Sequence, residues 1–292
     1  MARHLRPRLL AATLLLGIVA AGGPFAAAAQ AQGAVAAAPA AQAQGAVAAA
    51  PAAATLTEVA ARAAAARRPV PGGRYEPFVA IAGERPVEVA PFALDALPVT
   101  NADFLAFVRA EPDWRRDRVP ELFATAGYLS HWAGAEDLGD AHPDAPVAYV
   151  SWFAASAYCE AQGARLPTEA EWELAARASS TEPDGRGDAR FLAEVLARTM
   201  AARPEPVGRD APNAFGLHDL HRTFEWIEDA HRGLAALDGR NDDDDRLAAV
   251  CGGAAEGASD RRDYAAFLRV TVRTAAAANG VGPSLGFRCA AP

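Results

Sequence analysis

Three acids close together in the last fifth of the chain, Glu256, Asp260 and Asp263, are interleaved with Arg261, Arg262 and Arg269. Carboxylates in such a group can act as a general base or ligate a hard cation, and they can equally form ordinary surface ion pairs with those arginines. Just upstream, Cys251 stands beside Gly252-Gly253 and is the best candidate for a reactive thiol. Its alternatives are a small buried hydrophobe or a disulfide to Cys289. Cys159 falls on the buried side of a helical pattern and reads as inert, and three cysteines allow at most one bridge. His218, His221, Glu225 and His231 can be read as a metal cluster, but a single H-x-x-H has weak spacing logic and packing is the stronger expectation. Asp242 to Asp245 lacks the glycine and glutamate of an EF-hand loop and reads as solvated loop.

The chain around these groups has 292 residues and no lysine, so all 28 basic side chains are arginine. That excludes Schiff-base chemistry, a Walker A loop and kinase-type ATP clamping. A formal charge of −8 argues against broad nucleic-acid binding. Arg3, Arg6 and Arg8 precede an apolar run from Leu9 to Ala21, and Ala27-Ala28-Ala29 supplies small residues for cleavage. Residues 1–29 therefore read as a secretory signal, with an uncleaved anchor as the alternative. The mature chain is expected to be periplasmic or secreted, with no membrane attachment after cleavage.

Next, AQGAVAAAPAAQ is followed at once by AQGAVAAAPAAA, a charge-free duplication that cannot bury enough surface to offset its ordering entropy. Residues 30–68 read as an Ala-rich tether ending in a short helix, Thr55 to Arg68, stopped by Pro69. Residues 69–292 remain as one folded domain.

Inside that domain the spacing predicts three helices. Thr100 with Asp103 opens the first, whose apolar face is Phe104, Phe107 and Val108. Ser151 caps the second, which carries Trp152, Ala155 and Cys159 on one side and ends at Gly163. Thr168 with Glu171 opens the third, which buries Trp172 and Ala175, with Arg177 near its end. Strand-like runs are short: Val87–Ala90, Val147–Val150, Leu268–Val272 and Leu285–Cys289. So little regular structure over so long a stretch indicates a loop-heavy α+β fold.

Several ordered strings are more specific than any periodicity: Pro98-Val99-Thr100-Asn101, Pro146 to Trp152 (PVAYVSW), Arg165 to Glu173 (RLPTEAEWE), Asn213 to Leu220 (NAFGLHDL), Glu225-Trp226, Gly252-Gly253 and Gly286-Phe287-Arg288-Cys289. Together they resemble the formylglycine-generating enzyme, or sulfatase-modifying factor, family over roughly residues 70–292. The resemblance implies a single α+β domain of C-type-lectin-like fold, low in regular secondary structure. It also implies, for the active enzymes, two cysteines five positions apart after the Gly-Gly that bind copper(I) and activate oxygen to oxidise a substrate cysteine. Here those positions hold Gly257 and Arg262, and the serine after the Gly-Gly is Ala254. Copper is therefore not expected, and Glu256, Asp260 and Asp263 stand where its ligands would be.

The family's calcium-binding block appears as His221 to Trp226 (HRTFEW), without its asparagine, leaving Glu225 as a possible calcium ligand. The family's disulfide to the final cysteine lacks its partner, because the matching position is Ala176. The stretch from Cys251 to Arg269, with Tyr128 to Trp132 (YLSHW), resembles a branch containing the pyoverdine-maturation protein and accessory proteins of nitrite reductases.

Two functions follow from that branch. One is an exported oxidase-like maturation factor acting on an extended peptide or a siderophore-like substrate. Trp226 and Tyr264 would line its groove, Arg269 or Arg288 would hold a carboxylate, and Glu256 or Asp260 would be the base, with Asp263 and Cys251 as further catalytic candidates. The other is a non-catalytic binding module that assists maturation of a partner such as a periplasmic reductase.

Overall fold

In the computed structural model, three helices begin at a threonine with an acid three residues on, and each threonine and acid close a reciprocal capping box. They are Thr55 with Glu58 before α1 (Leu56–Ala66), Thr100 with Asp103 before α2 (Asn101–Ala110), and Thr168 with Glu171 before α4 (Glu169–Ala176). Ser151 caps α3 (Trp152–Ala161), Asp188 caps α5 (Ala189–Met200) and Asp263 caps α6 (Tyr264–Ala275), each accepting from a first-turn amide. Gly163, at φ +64°, takes the left-handed turn that follows α3. The structure describes residues 54–78, 86–230 and 260–292, all within the unit Pro51–Pro292. Among these residues no helix is long and apolar enough to cross a membrane.

The sheets are small. β1 (Arg68–Val70) pairs antiparallel with β4 (Phe92–Leu94), which pairs in turn with β7 (Ala290–Ala291), so the C-terminus closes the sheet that the start of the domain opens. β2 (Gly73–Tyr75) and β3 (Val87–Val89) form a separate antiparallel pair. β5 (Phe224–Glu225) runs parallel to β6 (Leu285–Gly286). A Cβ at Gly286 would lie 2.7 Å from the Val147 carbonyl oxygen, so only glycine fits this approach.

Loops are fastened to an aromatic core. Phe104 meets Phe107, Tyr158, Phe287 and Trp132 with ring centroids 5.3–6.3 Å apart. Asn101 is almost fully buried and satisfied on both sides: its amide nitrogen donates to the His142 and Ala145 carbonyls, and its oxygen faces Trp132 Nε1 and His131 Nε2 at 2.9 Å. Helix α1 joins this body, with Val59 buried and Arg62 paired to Asp103.

Three expectations are corrected. Leu268–Val272 is helical, lying inside α6. Val147–Val150 makes no ladder; Thr100 and Pro146 form an isolated bridge beside it, and Tyr149 has φ +53°. The bridge of the chain is Cys159–Cys289, with Cα atoms 5.5 Å apart and both residues fully buried, in place of a Cys251–Cys289 pair. Its closure is physical: the C-terminus of α3 and the end of the sheet meet in the core, because Arg165 and Ala290 exchange backbone hydrogen bonds beside it. Cys251 itself lies outside the described residues, as do Gly252-Gly253, Glu256, His231 and Asp242 to Asp245.

Candidate functional site

Helix α6 buries two arginines, Arg269 and Arg273, beside Ala265 and Ala266. Ala265, Arg269 and Arg273, spaced by four, turn one face toward α4, where Glu173 waits. Arg269 donates through Nε and Nη2 to the two oxygens of Glu173 at 2.9 and 2.7 Å, and Arg273 Nη1 donates to the same carboxylate at 2.7 Å. Both guanidiniums also lie over the Trp172 ring, 5.3 and 4.4 Å from its centroid. Burial alone would raise the Glu173 pKa, but the two arginines outweigh it and hold the carboxyl down at about 2.

The Trp172 indole N–H continues the network, donating to Glu225 at 2.7 Å. Arg288 then grips Glu225 from the other side and donates onward to the backbone carbonyls of Asp95 and His218. Thus α4, α6, β5 and the segment after β6 are locked by one chain of buried charges and an indole.

This arrangement decides several expectations. Arg288 and Trp226 are fully buried, and the Trp226 N–H donates to the Val150 carbonyl, so neither lines a groove or holds a substrate. Glu225 accepts from Arg288 at both oxygens and from Trp172 at one, and is closed to a calcium ion. His218 and His221 point to different carbonyls, those of Asp210 and Ala176, as the packing reading expects. Among the described residues no group of three or more His, Cys, Asp or Glu side chains is placed to hold a metal ion.

Three of the expected site residues do converge. Asp260, Asp263 and Arg269 border one cavity of about 30 Å³, together with Arg177, Arg186 and His221. Asp260 pairs with Arg262, which lowers its pKa, while burial raises that of Asp263, which also caps α6 at Ala266 N. Tyr264 is half exposed and stacked on Phe267, outside this cavity. His221 is held neutral: burial, then Arg269, depress its pKa to about 3. A larger open cleft of about 390 Å³ is also lined by His221, among Ser179, Arg190, Glu194, Arg198, Asp210 and Asn213. Arg177 and Arg186 were not anticipated as cavity residues; an isolated arginine near a helix end or in a Gly-rich turn carries no sequence signal for a site.

The chain matches the sulfatase-modifying factor enzyme 1-like domain over residues 52–292. It is 31% identical to the inactive C-alpha-formylglycine-generating enzyme 2 of Mus musculus, covering 70% of this chain and 77% of that one. It is 27% identical to the formylglycine-generating enzyme of Thermomonospora curvata, covering 71% and 84%. A solved structure of PvdO from Pseudomonas aeruginosa is 19% identical, covering 76% of this chain and 92% of that one, with a TM-score of 0.41. The chain belongs to the sulfatase-modifying factor family.

As a member of that family it does not fit the copper chemistry of its active relatives. Copper(I) wants a pair of soft thiolates, and Cys159 and Cys289 are consumed by their disulfide, which leaves Cys251 as the chain's single remaining cysteine. Nor does it fit calcium at Glu225, for the reason given above. No step is assigned to either ion.

Proposed function

We propose that this family member is an exported, non-catalytic accessory domain that holds a partner during its maturation, and does not generate formylglycine. The observation that carries the reading is the Cys159–Cys289 disulfide: it removes two of the three thiols, so no pair of thiolates is left for copper. A buried disulfide also accords with an oxidising compartment, and with the signal-like pattern of residues 1–29. The enclosure of Trp226 supports the accessory reading further, since the oxidase-like reading has Trp226 lining the groove; Arg288, one of its two alternatives for holding a carboxylate, is enclosed as well. The periplasmic-reductase class of partner rests on the branch resemblance in the sequence.

The test is oxygen consumption and aldehyde formation by the purified full chain on a cysteine-containing extended peptide, with copper(I) supplied. The expected result is no turnover above the protein-free control. Copper-dependent aldehyde formation would overturn it.

A second reading is favoured by one observation, the meeting of Asp260, Asp263 and Arg269 at one cavity. On that reading an acid acts as base for a peptide or siderophore-like substrate, and the Asp260→Ala, Asp263→Asn double variant loses complementation while staying folded.

A further inference from the structure

Helix α2 leads into the short turn Pro112–Trp114, and the chain beyond it helps to set a row of aromatic rings on the surface. Trp114 meets Phe123, Phe123 meets Phe153 and Phe153 meets Trp152, with ring centroids 6.2, 5.3 and 5.5 Å apart. None of the four is buried: Phe123 is 37% exposed, and its neighbour Leu122 is 73% exposed. Trp114 and Trp152 root the row, each packing partly against the core. The loop that carries Leu122 and Phe123 is pinned. The Phe123 and Ala124 amides donate to the Pro120 carbonyl, Thr125 N donates to Asn279 O, and Asn279 Nδ2 donates back to Glu121 O. Four rings in contact with one another and a leucine beside them, held in place and partly in water, mark a surface that another molecule covers.

The rim says what kind of molecule. Asp113 precedes Trp114, Glu121 precedes Leu122, and Glu111 accepts the Trp114 amide at its carbonyl. All three acids are exposed, and among the described residues none of their carboxylates is in an ion pair or hydrogen bond. The arginines of the same stretch are engaged. Arg115 bonds Asp117 and Glu136, Arg116 donates to the carbonyls of Leu129, Trp132 and Ala133, and the charge of Arg118 falls on Asp117. Residues 111–121 carry four acids and three arginines, so the charge left for an occupant is negative. A second copy of this chain docked row to row would bring the same acids against these, and an anionic lipid surface would meet them with like charge. A polypeptide with arginine or lysine beside its apolar side chains fits both features, its cations lying against carboxylates or over ring faces.

We infer that the row of Trp114, Leu122, Phe123, Phe153 and Trp152 docks an apolar segment of a partner protein that is flanked by basic residues. The inference deepens the accessory reading and rests on it, since a domain that holds a partner needs a surface to hold it by. None of the five borders the cavity of Asp260, Asp263 and Arg269.

The experiment is fluorescence anisotropy of the full chain with three labelled peptides of equal length. One has a leucine and phenylalanine core flanked by arginine, one the same core flanked by glutamate, and one a serine and glycine core flanked by arginine. The first should bind saturably, and the other two at least about tenfold more weakly. The Leu122→Ser, Phe123→Ser double variant should lose about tenfold or more in affinity for the first peptide, and Leu122→Ser alone, at a position too exposed to disturb folding, about threefold or more. Asp113→Asn with Glu121→Gln should weaken binding and flatten its dependence on salt. No binding of the first peptide, equal binding of the arginine- and glutamate-flanked peptides, or affinity untouched by both Leu122 variants would overturn the inference. So would self-association of the chain that Leu122→Ser abolishes, which would give the row to a second copy. The two readings fail separately: copper-dependent aldehyde formation strikes the accessory reading, whereas absent peptide binding without turnover strikes only this surface.

Discussion

Arg288 holds Glu225 through two parallel hydrogen bonds, Nε to Oε2 at 2.8 Å and Nη2 to Oε1 at 2.9 Å, and neither side chain reaches solvent. A fork of this kind is a bolt between β5 and the C-terminal segment. Removing one half leaves the other as a bare charge in the core. Arg288→Met is therefore expected to cost about 3–5 kcal/mol, read as a shift of the urea unfolding midpoint. A loss under about 1 kcal/mol would mean the pair is open to water.

The disulfide should matter through the unfolded chain. Cys159 and Cys289 are 130 residues apart, and a bridge that closes so long a loop restricts the denatured ensemble strongly. The Cys159→Ser, Cys289→Ser double variant is expected to lose about 2–5 kcal/mol by denaturant unfolding. An unchanged midpoint would show that the bridge adds no stability.

Acid should unfold the protein by a route that can be dissected. His131 and His221 have pKa values depressed from 6.5 to about 4 and about 3, burial being the main cause. Below pH 6.5 the unfolded chain takes up protons that the folded chain refuses, so stability falls until those lower values are reached. Glu173, held at about 2 against 4.5 unfolded, contributes stability above pH 4.5 that is lost as pH drops toward 2. Asp95, Glu169 and Asp263, raised by burial, act in the opposite sense and lose stability as pH rises through their folded values. His221→Phe should flatten the dependence between pH 6.5 and 3, with Trp172 still against the ring. An identical slope in this variant would show that His221 does not carry the proton linkage.

Helix starts were legible because capping boxes are local. Thr100 with Asp103 and Thr168 with Glu171 each need one turn of chain to be recognised, and both occur where expected. Thr168→Ala should cost about 1 kcal/mol, measured by thermal or urea unfolding, because it frees the Glu171 amide.

Helix α6 was misread for a physical reason. Leu268, Val270 and Val272 alternate and are rich in β-branched residues, the pattern of a half-buried strand. The helix is instead organised by Asp263 at its start and by Arg269 and Arg273 on its buried side. Hydrophobic periodicity cannot register a buried face made of arginine. The same blindness put Arg288 and Glu225 at a site: a charged residue within a motif looks functional until its buried partner, 63 positions away, is seen. Asp260, Asp263 and Arg269 border one cavity because one short stretch of chain carries all three, whereas Arg177 and Arg186 arrive from a distant loop.

The central claim is that two of the chain's three cysteines are joined to each other, so that no two thiols remain for a copper pair. It is tested most directly by alkylating the denatured but unreduced chain and mapping the labels by mass spectrometry. The account expects one label, on Cys251, and a linked pair of peptides containing Cys159 and Cys289. Labels on all three cysteines, or Cys251 found joined to either of the others, would contradict it.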